Sequence, residues 1–190
     1  MTRPRLEEFR FDAGALCLDF VATLGRRGDP EHRRVERIPT PDRFGEWLRE
    51  CGLTGADASL TRGDLVSAVV LREAIDGLVR GVLGGGDVTA DARTVNQWAE
   101  CPVATPRFDP RTATVTRHSP EPVAAALAEI ARDAVVTAGR AASLPVRVCG
   151  MDDCRMLFID QSRGRPRRWC SASRCGNRAK VAAYRQRNTI

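Results

Sequence analysis

The chain has 190 residues, 43% of them hydrophobic, and a formal net charge of +6, a length that suits one ordinary domain plus a small one. No apolar run approaches the roughly 20 residues of a membrane helix, and the opening residues MTRPRLEEFRFDAG lack the apolar core of a secretory signal. A cytoplasmic protein with no membrane partner is therefore expected, its seven cysteines reduced rather than paired as disulfides.

The first predicted element is a helix over residues 16–24 (LCLDFVATL), with Leu16, Phe20 and Leu24 on one stripe. Asp19 and Thr23 lie four apart on another face. They read as a solvated or capped edge or, together with Arg33 in the following loop, as contacts to a small-molecule effector. Residues 25–39 are arginine-rich and broken by Gly28 and Pro30, which reads as a mobile loop. Thr40-Pro41-Asp42 opens a second helix with a cap and a first-turn proline; Phe44, Trp47 and Leu48 face inward and Gly52 ends it. A long helix runs from Thr61 to about Leu83, with Thr61 and Asp64 as cap chemistry and Gly84-Gly85-Gly86 as its stop. The glycine triplet is no phosphate loop, since no strand precedes it and no GK[ST] follows. A shorter helix covers Thr89 to Cys101, and a hairpin over Arg107 to Arg117 turns at Asp109-Pro110. An alanine-rich helix then runs from Pro122 to about Ala142, with Leu127, Ile130, Ala134 and Val135 inward. The first domain, 1–142, is thus mostly helical. Its long helix or its alanine-rich helix would serve a homodimer.

The charge is concentrated after this domain. Residues 141–190 hold eleven Arg and Lys against three Asp, +8, while the other 140 residues sum to −2. Four cysteines stand in the same tail as two C-x4-C pairs, Cys149 with Cys154 and Cys170 with Cys175. That pairing reads as one structural zinc ion held by four thiolates. The loaded tail keeps about +6, which favours a polyanionic partner. Met156 to Asp160 reads as a strand, Gln161 to Pro166 as a turn and Arg167 to Cys170 as the returning strand. A helix then runs from Ala172 to Arg187. Knuckle, hairpin and ligand-bearing helix make a treble-clef-like, four-cysteine zinc finger over 145–190. On a helical wheel Arg174, Arg178 and Arg185 share one stripe, while Ala179 and Ala182 lie on the zinc side beside Cys175. The candidate nucleic-acid contacts are Arg163, Arg165, Arg167, Arg168, Arg174, Asn177, Arg178, Lys180, Arg185 and Arg187. DNA is the expected partner; RNA binding, or a protein-interaction module in which zinc serves only folding, are the alternatives. Four thiolates leave zinc no open position, and His32 and His118 are the only histidines, so no enzyme is expected.

The stretch FIDQSRGRPRRWCSASRCGNRAKVAAYRQR closely resembles the CGNR zinc-finger family, named for the tetrapeptide Cys175-Gly176-Asn177-Arg178. The likeness spans about Val148 to Arg187 and implies Cys149, Cys154, Cys170 and Cys175 as ligands. The preceding part resembles the ABATE (stress-induced transcription regulator) domain, on the strength of LCLDFVATL, Trp47-Leu48 and Leu71-Arg72-Glu73. Where that family's signature carries asparagine before the threonine, this chain has Ala22. The resemblance implies a bacterial transcription regulator with its finger on DNA and an N-terminal domain that senses a ligand.

Overall fold

A computed structural model describes residues 7–55, 58–141, 143–162 and 164–187. In chain order its elements are α1 (Leu16–Val21), β1 (Leu24–Gly25), β2 (Val35–Glu36), α2 (Pro41–Glu50), α3 (Arg62–Gly84), α4 (Thr89–Glu100), β3 (Thr105–Asp109), β4 (Thr114–His118), α5 (Pro122–Gly139), β5 (Val146–Val148), β6 (Leu157–Ile159), a π-helical turn (Ala172–Gly176) and α6 (Asn177–Arg187). The strands pair as three antiparallel two-stranded ribbons, β1–β2, β3–β4 and β5–β6. The fold is therefore mostly α with small β hairpins, as the pattern of apolar residues predicts. Among the described residues no helix is long and apolar enough to cross a membrane.

The chain forms two compact units, one of Ile38–Ala142 and one of Met1–Arg37 with Ser143–Ile190. In the first, the helix ends follow from the cap residues. The Thr40 side chain accepts the Arg43 N–H at 3.2 Å and Pro41 occupies the first turn of α2. Thr61 and Asp64 exchange both bonds of a capping box, and Gly85 closes α3 in the left-handed region at φ 71°. Ala68, Leu71, Ile75 and Val79 recur at helical spacing and bury the inner face of α3. Helices α3, α4 and α5 pack on one another pairwise. At the α3–α4 approach Gly77 leaves room for the Asp91 carboxylate, which a Cβ there, 2.1 Å from its Oδ2, would force to move. On α5 the inner face is Leu127, Ile130, Ala131 and Ala134. Val135, expected inward, is 39% exposed, because it lies about 100° round the helix from Ala134.

In the second unit, α1 stops at Val21 instead of running to residue 24. The Thr23 hydroxyl donates to the Phe20 carbonyl at 2.7 Å, which releases the chain into β1. Residues 25–39 do not hang free. β1 pairs with β2, and the Gly28 N–H donates to the Asp153 carbonyl at 3.2 Å. Gly28 is required there, since a Cβ would lie 2.0 Å from the Asp152 carbonyl oxygen. β6 is bonded on both sides. Val146 and Val148 of β5 face Ile159 and Leu157, and on the other edge the Ile159 N–H donates to the Ala13 carbonyl at 2.7 Å. This corrects the hairpin expected from the sequence: residues 167–170 form no strand. They are tied instead by the Gly150 N–H to the Arg168 carbonyl (2.9 Å) and by the Arg167 N–H to Asp160 (2.7 Å).

The alanine face of α5 leaves no room for larger side chains. Ala131→Leu is expected to destabilise the protein by about 1–3 kcal/mol through overpacking, against at most about 0.5 kcal/mol for Val136→Leu at the surface; urea unfolding followed by circular dichroism measures both.

Candidate metal centre and basic helix

The four cysteines reach one point because each pair sits in a turn shaped for it. The Cys149 N–H donates to the Met156 carbonyl at 2.8 Å, and the N–H groups of Cys154 and Arg155 both donate to the Met151 carbonyl, so residues 149–156 close into a knuckle. Gly150 permits this: a Cβ there would press on the Arg168 backbone oxygen at 3.2 Å. After Cys170 the chain enters a π-helical turn, in which the Gly176 N–H reaches back five residues to the Ser171 carbonyl (2.9 Å). In an α-helix, positions five apart diverge by about 140°. The wider turn brings Cys175 back to Cys170.

The sulfurs of Cys149, Cys154, Cys170 and Cys175 all lie within 4.8 Å of one another. A tetrahedral ion with Zn–S bonds near 2.3 Å sets its sulfurs about 3.8 Å apart. Cys154 and Cys170 stand 3.9 Å apart, and Cys170 and Cys175 3.6 Å. Disulfides, at about 2 Å, do not fit this spacing. Hydrogen bonding among the thiols pulls Cys149 down from the usual thiol range and pushes Cys154 and Cys175 up. A dication removes that competition by taking all four as thiolates. The tetrad thus fits one structural Zn2+ and leaves no open coordination position.

Two further donors support the thiolates. The Cys170 N–H points at Cys149 Sγ (3.5 Å), and the Arg10 guanidinium donates to Cys170 Sγ (3.4 Å). Arg10 is 6% exposed and is oriented by Asp12, with bonds of 2.9 and 2.7 Å. Nothing in the sequence pairs Arg10 with a cysteine 160 positions away. Arg37 is equally hidden from a sequence reading: it is also 6% exposed and donates to the carbonyls of Glu8 and Ala22, both at 2.9 Å. Burial, then the charges of Arg10 and Arg174, lower its pKa to about 10. The expected fillers Phe158 and Trp169 differ. Phe158 is fully buried, whereas Trp169 is partly exposed and is covered by the Arg168 guanidinium at 4.5 Å.

The predicted nucleic-acid contacts fall into three groups. Arg167 spends its donors inside the module, with Nε on Asp160 (3.1 Å), a terminal nitrogen on the Ile159 carbonyl (2.8 Å) and its plane over Phe158. Asp160 is correspondingly fixed as a carboxylate. Burial pushes its carboxyl up, but the bonds from Arg167 and Ser162 outweigh this and hold it well below the usual range. Arg174 is held near Glu8 at 3.8 Å, and Arg178 pairs with Asp153. Asn177, Lys180, Arg185 and Arg187 lie along α6, where no residue is buried, while Arg165 and Arg168 are exposed ahead of it; Arg163 lies outside the described residues. The wheel needs one correction. Ala182 is exposed and no residue of α6 is buried: the helix is tied to the knuckle through Arg178 and Asp153, and its alanines do not pack on the zinc side.

The suggested effector contacts each have partners within the chain. Asp19 accepts the Ala13 N–H at 2.8 Å, the Thr23 hydroxyl is satisfied by Phe20, and Arg33 pairs with Asp29 and Glu31 in the loop.

Comparison with known families gives two matches. The ABATE model, described as Putative stress-induced transcription regulator, matches residues 14–139, and the CGNR zinc finger model matches 146–188. No curated protein is detectably similar. The matches meet between residues 139 and 146, whereas by packing the segment before Ile38 belongs with the finger.

One zinc per chain is expected by atomic emission, and its removal by a chelator should abolish the finger's protection in hydrogen exchange. Arg10→Gln, which deletes the guanidinium bond to Cys170, is expected to weaken zinc affinity about tenfold in competition with a chromogenic chelator, with the helix content unchanged.

Proposed function

The chain belongs to the ABATE family of putative stress-induced transcription regulators, and from that premise we propose that it binds DNA through its C-terminal finger and alters that binding in response to a ligand. Its regulator-type role is the family's. The observation that carries the DNA reading is α6. It follows the last zinc ligand, buries none of its 11 residues, and bears Arg178, Lys180, Arg185 and Arg187 with no acidic residue. A helix this short gains little from its own hydrogen bonds in water and gains nothing here from a buried face. A major groove admits an α-helix, and about 16 Å of helix suffices to cross it. Arg165 and Arg168, exposed within the finger ahead of α6, would contact flanking phosphates. The zinc serves to fix the start of α6, and binding rather than chemistry is the finger's work.

Selection from a random duplex pool, with zinc-depleted protein as control, tests the reading. Four to five phosphate contacts would give a log–log salt slope of about −4. Arg185→Ala and Lys180→Ala, both on the helix that buries no residue, are each expected to weaken binding evenly across sequences and to flatten that slope by about 1. A pool that yields no enriched duplex and no shifted band at low salt would sink it; preferential retention of single-stranded RNA would reassign the partner.

A further inference from the structure

Beside the zinc centre, wholly within the unit formed by the N-terminal segment and the finger, lies a cavity of about 600 Å³. That volume is in the range of small-molecule sites. Its lining includes six arginines, Arg10, Arg26, Arg37, Arg174, Arg178 and Arg185, and no aspartate or glutamate; the zinc ligands Cys154 and Cys175 also border it, so the arginines face the metal centre across the cavity. The carboxylates that accompany these arginines, Glu8, Asp12, Asp29 and Asp153, are not part of the lining.

Arg37 decides what the cavity is for. Its guanidinium is 6% exposed and is held by two backbone carbonyls, and among the described residues no carboxylate pairs with it. Burial, then the charges of Arg10 and Arg174, lower its pKa, and the Cys154 sulfur and Glu36 offset this only in part, without a direct bond to the guanidinium. Room has been kept for it, because a Cβ on Gly25 would lie 2.5 Å from one of its terminal nitrogens. The remaining wall is mixed, with apolar Leu24, Met151, Met156 and Val181 beside polar Ser173 and Asn177. A duplex backbone cannot bring a phosphate down to side chains as enclosed as Arg10 and Arg37. A small molecule can.

We propose that this cavity binds a small organic anion with an apolar body, and that its occupant competes with nucleic-acid phosphates for Arg174, Arg178 and Arg185. The anion would take its charge to Arg37, with Arg10 already bound to Asp12 and Cys170, and its apolar part to the methionines and Val181. The competition, though not the anion site itself, rests on the DNA reading above. It also gives the family's regulator role a physical device: one set of guanidiniums, two mutually exclusive uses, with coupling that is reciprocal by necessity.

The test uses the full zinc-loaded chain, 1-naphthalenesulfonate as the anionic probe and naphthalene-1-sulfonamide as its uncharged counterpart, by titration calorimetry without nucleic acid. One sulfonate per chain and no measurable sulfonamide binding are expected. Arg37→Gln should abolish binding. Because Arg37 also ties Glu8 to Ala22, the decisive variant is Ala182→Glu, which places a carboxylate on the cavity wall at an exposed helical position; it should weaken the sulfonate at least tenfold with the circular dichroism spectrum unchanged. In a separate titration against the selected duplex, sulfonate at ten times its own Kd should raise the apparent duplex Kd about tenfold. Equal binding of the sulfonamide, an unchanged affinity in Ala182→Glu, or saturation by sulfonate that leaves the duplex titration unmoved would each overturn the proposal. Failure of duplex binding beside normal sulfonate binding would overturn the DNA reading and leave the anion site standing.

Discussion

Four thiolates drawn to within 4.8 Å of each other cannot coexist without a cation, and that constraint shapes everything around them. It explains why Cys149 and Cys154 sit in a knuckle closed by backbone bonds, why Gly150 has no side chain, and why the final helix begins as a π turn. None of these features has a stability rationale of its own. A π turn is rarer than α, and Arg155 adopts a positive φ of 53° at the end of the knuckle. They persist because the metal offsets their cost, which is the usual logic of a module too small to be held by an apolar core.

The zinc centre also organises the chain at long range. Arg10 reaches Cys170, Arg26 and the Gly28 N–H reach Asp153, and Ala13 receives the Ile159 N–H. These ties join the first 37 residues to the finger across more than 100 positions of sequence. Local signals could not announce them. The C-x4-C pairs, the Thr61 cap and the Gly85 stop were legible because each is decided by neighbours within a few residues. The partner of β6 was not, because Val146-Arg147-Val148 is a three-residue strand with no periodicity to detect, whereas Arg167 to Cys170 looked the better candidate and had been claimed by Asp160 and Gly150. The loop over residues 25–39 looked mobile on composition alone; its anchor is the Asp152–Asp153 backbone, invisible in the loop's own residues.

Counting charges in the tail gives +8, yet charge count and available charge differ. Asp160 holds both Arg147 (3.3 Å) and Arg167, and Asp153 holds Arg178 and approaches Arg26. These aspartates therefore do more than lower the sum, since they fix the positions of Arg147, Arg167 and Arg178 within the module. The helical wheel finds the stripe of Arg174, Arg178 and Arg185 and places it on an outer flank. The same three line the cavity with Arg10 and Arg37, so the stripe faces a concave wall as well as solvent.

That double exposure turns on α6 itself. An 11-residue helix with no buried side chain is held at its start by Cys175 and by the Arg178–Asp153 pair, and one face of it borders the cavity. On the two readings proposed above, a polyanion would meet that face from solvent and a small anion from the cavity, and both would use the same guanidinium donors. A helix packed firmly on its own domain would present its arginines in one fixed arrangement and could not distinguish the two. A helix with no packed face of its own would respond to either if each occupant favoured a different disposition of the same three side chains.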